Sequence, residues 1–226
     1  KIIKMAAPSE VTVGYWGIRG RGGVIRSLLA YCGVPFQNKN YTDPEEWFGK
    51  DKQSLGFEYP NLPYLIDGDK KLTESNAILH YIPIRAGKRE LLGDTDDKFV
   101  QVQVAFGVGL DVLTELSKLI WSAKDFEAEK EEAFTKGKLK AKLDALNANL
   151  EGKEWLTGFL SIADFQLFEL LDLIHEVDGA KLESYPNLVS FRKRFLEIPQ
   201  IKAHRESPNF IKLWYPPGMT KWQPSA

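Results

Sequence analysis

Two prolines three residues apart, in Tyr59-Pro60-Asn61-Leu62-Pro63-Tyr64-Leu65-Ile66-Asp67-Gly68, constrain this chain more than any other stretch. They keep Asn61 and Leu62 extended and out of any helix. Tyr64-Leu65-Ile66 is then an apolar run that Asp67-Gly68 can turn into a hairpin. Asp69-Lys70-Lys71-Leu72-Thr73-Glu74-Ser75-Asn76-Ala77-Ile78 leads on to the helical positions Ile78, Leu79 and Ile82, so the block reads as loop, strand, turn, strand, helix. Ser75 stands just ahead of that helix, where its hydroxyl and the unpaired backbone donors of the first turn can face an anion together. Pro63 is open to two readings, an ordinary trans strand boundary or a cis bond that turns the preceding backbone toward a ligand.

Upstream, Val11 to Trp16 is rich in β-formers and reads as a strand, and Gly17-Ile18-Arg19-Gly20-Arg21-Gly22-Gly23 as a loop. Val24, Ile25, Leu28, Leu29 and Cys32 fall at helical spacing, with Gly33 closing the helix, and Phe36 to Tyr41 makes a second strand. The order β-α-β, β-β-α is thioredoxin-like. Neither G-x-G-x-x-G nor a P-loop lysine pattern is present, which argues against a nucleotide site. Cys32 lies late in its helix, away from the end that would lower a thiol pKa, and reads as a buried apolar side chain. Pro83 should end or kink the third helix. Tyr15 stands at the end of the first strand, before the glycine loop. Its phenol, with an ordinary pKa of about 10, stays protonated at neutral pH. Pointed at a bound thiol, it would favour the thiolate, as would the nearby helix start; otherwise it is a plain strand aromatic.

From Ala86-Gly87-Lys88-Arg89 to Gly93-Asp94 the pattern breaks, so we expect a first domain over 9–87, a linker over 88–94 and an all-helical domain with a C-terminal tail over 95–226. No proline occurs between Thr95 and Pro186. Phe99, Val102, Phe106, Leu110, Leu113, Leu116 and Ile120 mark one helix, and Phe134, Leu139, Leu143, Leu146 and Leu150 a second with its charges outside. Ser161-Ile162-Ala163-Asp164 is a capping box before another apolar helix. Pro186 restarts a helix, and Pro199 and Pro208 cut the remainder into short pieces.

Thirty basic against 31 acidic residues leave a net charge of −1, which offers no general attraction to nucleic acid or to an anionic membrane. The partner must therefore be met at a local site. One cysteine excludes an internal disulfide and fits a reducing, cytoplasmic setting. No apolar run reaches the ~18 residues of a membrane span. Residues 1–8 read as an unstructured or vector-derived lead, with Met5 a candidate natural start. Asn40-Tyr41-Thr42 matches a glycosylation acceptor pattern that we expect to go unused. His80, His175 and His204 have no metal-ligand spacing, so no metal is assigned.

Asn-Leu-Pro-Tyr-Leu-Ile-Asp-Gly, then Leu-Thr-Glu-Ser-Asn-Ala-Ile, resembles the glutathione-binding core of cytosolic glutathione transferases, closest to the mu class, and Gly14-Tyr15-Trp16-x-Ile18-Arg19-Gly20 resembles the mu-class start. The resemblance implies a thioredoxin-like domain followed by an all-α domain. It also implies conjugation of glutathione, as co-substrate and without a further cofactor, to small, largely apolar electrophiles by a homodimer. Tyr15 would activate the thiol. Pro63 would be cis, with Leu62 pairing to the cysteinyl backbone. Asn61 would join it, Trp16 and Trp47 would flank the ligand, and Glu74 and Ser75 would hold the γ-glutamyl end, although glutamine is usual before that serine in the mu class. Asp111 would reach the neighbouring subunit's glutathione, and Tyr59 would insert into a partner pocket or else pack on its own core. The family's glycyl-binding lysine stands four residues after the second tryptophan, whereas Lys50 and Lys52 stand three and five after Trp47; Lys52 aligns when counted back from Pro60. Ile18, Arg21, Trp121 and Trp214 would line the second-substrate site, with Trp121 replacing a hydroxyl-bearing aromatic and so offering only an N–H. The segment from Tyr41 to Trp47 is shorter than in the mu class. A non-catalytic structural protein or carrier like the S-crystallins, or an isomerase like the sigma-class prostaglandin synthases, would share this fold.

Overall fold

In β1 (Val11–Trp16), Val11, Val13 and Tyr15 turn inward, as strand alternation requires. α1 (Gly20–Cys32) follows and ends on Gly33, whose φ of 69° places it in the left-handed region that glycine adopts most easily. The computed structural model describes residues 9–216 and 218–222; the expected lead over residues 1–8 lies outside them. β2 (Phe36–Tyr41), a wide helical turn over Glu46–Asp51, the single turn α2 (Lys52–Ser54), β3 (Tyr64–Asp67), β4 (Lys70–Thr73) and α3 (Ser75–Arg85) complete the first half. The sheet runs β2-β1-β3-β4, with β1 parallel to β2 and antiparallel to β3. The thioredoxin-like order expected from the sequence is therefore the observed one.

Several local expectations change. Pro83 sits inside α3 without stopping it, because the helix ends two residues later at Arg85 and little of the bonded ladder lies beyond the missing N–H. Cys32, expected buried, is part-exposed at the last position of α1. The expected 88–94 linker contains a turn of 3₁₀ helix, Arg89–Leu92, with Leu91 and Leu92 buried.

The second half holds α4 (Asp96–Ser122), α5 (Phe126–Thr135), α6 (Lys138–Asn149), α7 (Ile162–Glu183), α8 (Pro186–Leu196) and α9 (Pro199–Glu206). The single helix expected through Phe134 and Leu150 is thus two, parted at Lys136-Gly137, where Gly137 takes an extended conformation (φ −80°, ψ −179°) and caps α6. Asp164, at the start of α7, accepts from the Ser161 N–H (2.8 Å), the Ser161 hydroxyl (2.9 Å) and the Leu156 N–H (2.9 Å), so the capping box forms as expected. By length and composition alone α4 could cross a membrane. Its apolar residues divide between a buried stripe of Val102, Phe106, Val112, Leu116 and Ile120, and the exposed Phe99, Val100 and Val104.

The described residues divide into two units, 9–89 with Gln200–Leu213, and Glu90–Pro199 with 214–216 and 218–222. This corrects the expected 95–226 domain, since residues 200–213 belong with the first unit. The reason is side-chain packing and backbone bonding. His204 lies 6.0 Å from the Phe36 ring, the Arg19 N–H donates to Leu213 O at 2.7 Å, and Asn38 Nδ2 donates to Asn209 O at 3.2 Å.

Candidate functional site

Tyr15 ends the inward face of β1 and is 8% exposed. The start of α1 closes on it, and the Arg21 N–H donates to its hydroxyl oxygen at 3.2 Å. Gly22 makes that approach possible, since a Cβ there would lie 2.8 Å from Tyr15 Cδ1. Burial raises the phenol's pKa, opposed by the Arg21 N–H and by the charges of Arg21 and Arg26. The side chain therefore stays a phenol at neutral pH. With its oxygen already accepting, its own proton is free to be donated elsewhere.

Behind this, Arg26 is 1% exposed and donates to Ile18 O (2.9 Å) and Asn38 Oδ1 (2.8 Å), fixing the loop that carries Ile18 to Arg21. The sequence offered no signal for Arg26 beyond a charge at a position of α1 that the apolar spacing leaves open. Ile18 is buried and Arg21 exposed.

The peptide bond Leu62-Pro63 is cis, which decides the reading left open by the sequence. Pro63 is buried, and Leu62 packs against the cluster Tyr41, Trp47, Phe57 and Tyr64. The Leu62 N–H donates to Asn61 Oδ1 at 2.9 Å, and Asn61 Nδ2 donates to Glu74 Oε1 at 3.0 Å. Glu74 has a φ of 65°, strained for a residue with a side chain, a feature that collects at ligand sites. Ser75 is 8% exposed and opens α3, whose first bond is from the Ile78 N–H to Glu74 O, so the donors of that first turn have no carbonyl ahead of them. Asn61, Leu62, Pro63, Glu74 and Ser75 thus form one neighbourhood.

Trp16 meets Phe48 at 5.9 Å, and Lys52 Nζ lies 5.5 Å from the Phe48 ring centre, so Trp16 and Lys52 share a wall through a residue the sequence reading missed. Trp47 departs from its expected role as an open flank. It is 2% exposed and packed 5.4 Å from Tyr41 and 6.0 Å from Tyr64, while Phe48, 57% exposed, presents the accessible ring. The off-register spacing of Lys50 and Lys52 was the only sequence signal for this rearrangement.

Other expected residues stand on other surfaces. Tyr59 is 70% exposed on the first unit. On the second, the exposed Asp111 pairs with Lys142 at 2.6 Å. Trp121 is 41% exposed and meets Tyr215 at 5.4 Å, whereas Trp214 is 7% exposed and so presents little surface to a substrate.

Two family models match, the glutathione S-transferase N-terminal domain over residues 11–83 and its C-terminal domain over residues 110–208. Glutathione S-transferase Mu 4 of Mus musculus is 35% identical over 89% of this chain and 93% of its own length; Mu 1 of Oryctolagus cuniculus is 36% identical over 90% and 94%. Among solved structures, the glutathione S-transferase Blo t 8 superposes with a TM-score of 0.77 at 30% identity, covering 87% of this chain and 92% of that one. A pi-class enzyme of Onchocerca volvulus, 24% identical with a TM-score of 0.76 over 90% and 95% of the two chains, shares the fold. With both domains matched and a phenol set before the open start of α1, the chain belongs to the glutathione S-transferase family.

Proposed function

We propose that this protein conjugates the thiolate of glutathione to small, largely apolar electrophiles, working as a cytoplasmic homodimer. The observation that carries the reading is Tyr15: a buried phenol whose oxygen accepts from the Arg21 N–H, leaving its proton for a sulfur. Bound glutathione loses its thiol proton to solvent. The Tyr15 O–H and the dipole of α1 then stabilise the sulfur anion. The sulfur forms a bond to the electrophilic carbon; a leaving group such as chloride departs with the bonding pair, or in an addition the product carbanion takes a proton from water.

The rest of the tripeptide is held from both ends. Its cysteinyl backbone pairs with Leu62, displacing the Asn61 side chain from the Leu62 N–H. Ser75 and the start of α3 take the γ-glutamyl carboxylate, and Glu74 accepts from the ammonium group, helped by Asp111 of a second copy. Lys52 takes the glycyl carboxylate, beside Trp16 and Phe48. Ile18 and Arg21 belong to the second-substrate side. Two features support the dimer reading. The first unit offers the exposed Tyr59, and the second an apolar cavity of about 620 Å³ lined by Val100, Val104, Ala105, Val108, Leu146 and Leu156.

The test is turnover of glutathione with a chlorodinitrobenzene-type substrate and a panel of enones and epoxides, with the products analysed. We expect thioether products; a protein that binds glutathione yet gives none with any electrophile, or gives only rearranged substrate, would overturn the conjugation reading.

A further inference from the structure

The stretch after Trp47 is not an ordinary helix. The Lys52 N–H bonds to Trp47 O, five residues back, whereas an α-helical turn would give that carbonyl the Asp51 N–H. The turn Glu46–Asp51 is therefore π-helical, the form a helix takes when it absorbs one extra residue, often at a functional site. This accounts for lysines three and five residues after Trp47, with none at four.

Asp51 sits at the end of the wide turn with its carboxylate turned inward. Its Oδ2 accepts from the Tyr41 hydroxyl at 2.8 Å, and Tyr41 Oη lies 3.1 Å from Tyr64 Oη. Because a carboxylate only accepts, the Tyr41 hydroxyl donates its hydrogen bond to Asp51 and accepts one from the Tyr64 hydroxyl. Both phenols are almost fully buried, at 1% and 2% exposure. Tyr64 follows the cis bond at Pro63 and pairs with Gly14, where a Cβ would fall 2.0 Å from Tyr64 Cζ, so the ring lies flat across β1. The other end of the wide turn is tied by Lys39 to Glu46.

We infer that Asp51 is a positioning residue for the glycyl-carboxylate end of glutathione, tying the Lys52-bearing turn through Tyr41 and Tyr64 to the strand that follows Pro63. The inference rests on the glutathione reading above and deepens it. With its carboxylate anchored inward, Asp51 sets the backbone from which Lys52 extends over Phe48. Without the anchor, Lys52 samples other directions, and only the ligand group that it meets loses hold.

The experiment compares affinity for glutathione with affinity for γ-glutamylcysteine, which lacks the glycyl residue, in the wild type, Asp51→Ala and Asp51→Asn. We expect Asp51→Ala to weaken glutathione about ten-fold, the size of one charge-assisted contact, and to leave γ-glutamylcysteine and the pKa of the bound thiol unchanged. Asp51→Asn, which keeps an acceptor for Tyr41, should restore most of the preference. An unchanged preference in Asp51→Ala, or an equal loss for both ligands, overturns the inference. Should Asp51→Ala not fold, Tyr41→Phe cuts the same link from its other side and decides by the same two affinities. A wild type that binds neither ligand removes the glutathione reading itself, an outcome distinct from a wild type that binds while the variant changes nothing.

Discussion

Replacing Tyr15 by Phe removes one oxygen from a site where the ring is 8% exposed and already packed against Gly22. The ring therefore keeps its place, and the bound thiolate loses one donor. A hydrogen bond to a charged group contributes about 1.5–3 kcal/mol. At 1.36 kcal/mol per pKa unit, the thiol of bound glutathione should titrate about one to two units higher in the variant. Below both midpoints the thiolate population falls by about 10- to 100-fold. A less stabilised thiolate is also a better nucleophile, with a Brønsted slope of about 0.4–0.5, so kcat/KM should fall only about 3- to 16-fold. Above both midpoints, where both thiols are ionised, the variant should lead by about 3- to 10-fold. Burial keeps Tyr15 protonated at neutral pH, so in the wild type the rise of kcat/KM around neutrality belongs to the thiol. Ultraviolet absorbance of the bound thiolate against pH gives the midpoint directly, and kcat/KM over the same range gives the profile. An unmoved midpoint would refute the assignment. A loss of rate by the same factor at every pH would refute it too, because that is the mark of misplaced substrate.

Three further outcomes are expected. Gly22→Ala places a Cβ 2.8 Å from Tyr15 Cδ1 and 2.8 Å from Arg26 Nη1; the ring must shift, stability should fall by about 1–3 kcal/mol, and the bound thiol's pKa should rise as in Tyr15→Phe, whereas wild-type titration would show the close approach to be dispensable. Tyr59→Ala should leave the fold intact while raising the dimer dissociation constant about 30-fold or more in sedimentation equilibrium, the mark of a hot-spot residue; an unaltered constant dismisses the insertion. His204, 6% exposed, is held to a pKa of about 4 by burial first and then by the charges of Arg26, Arg205 and Arg19. The fold thus favours the neutral ring, and stability should decline as pH falls from about 6.5 toward 4, by about 1.4 kcal/mol per pH unit. His204→Gln should remove that one-proton slope in denaturant titrations, and an identical slope would count against it.

Much of the first unit could be read before any coordinates. β1 carries β-formers and stops at Gly17, β2 starts after Pro35 with an aromatic at each end, and strand period and turn chemistry are local, so their ends fall where expected. The prolines before β3 and the serine that opens α3 marked the proposed binding edge for the same reason, although only the folded chain decided that Leu62-Pro63 is cis. The break between α5 and α6 falls where the apolar spacing steps by five, from Phe134 to Leu139, across Gly137; the regular threes and fours that follow in α6 hid it.

What the sequence determined by itself was the order of elements, the phenol before the glycine loop, and lysines three and five residues after Trp47 with none at four. Tertiary structure decided where the extra residue behind that spacing went, into a π-helical turn held by Tyr41, and that it buried Trp47 while turning Phe48 outward. It also decided that residues 200–213 return to the first unit. Dihedral preference and hydrophobic period act over a few neighbouring residues, so a linear reading can recover them. A buried hydroxyl finds its acceptor, and a ring its packing partner, among residues far apart in the chain, and only folding brings those together.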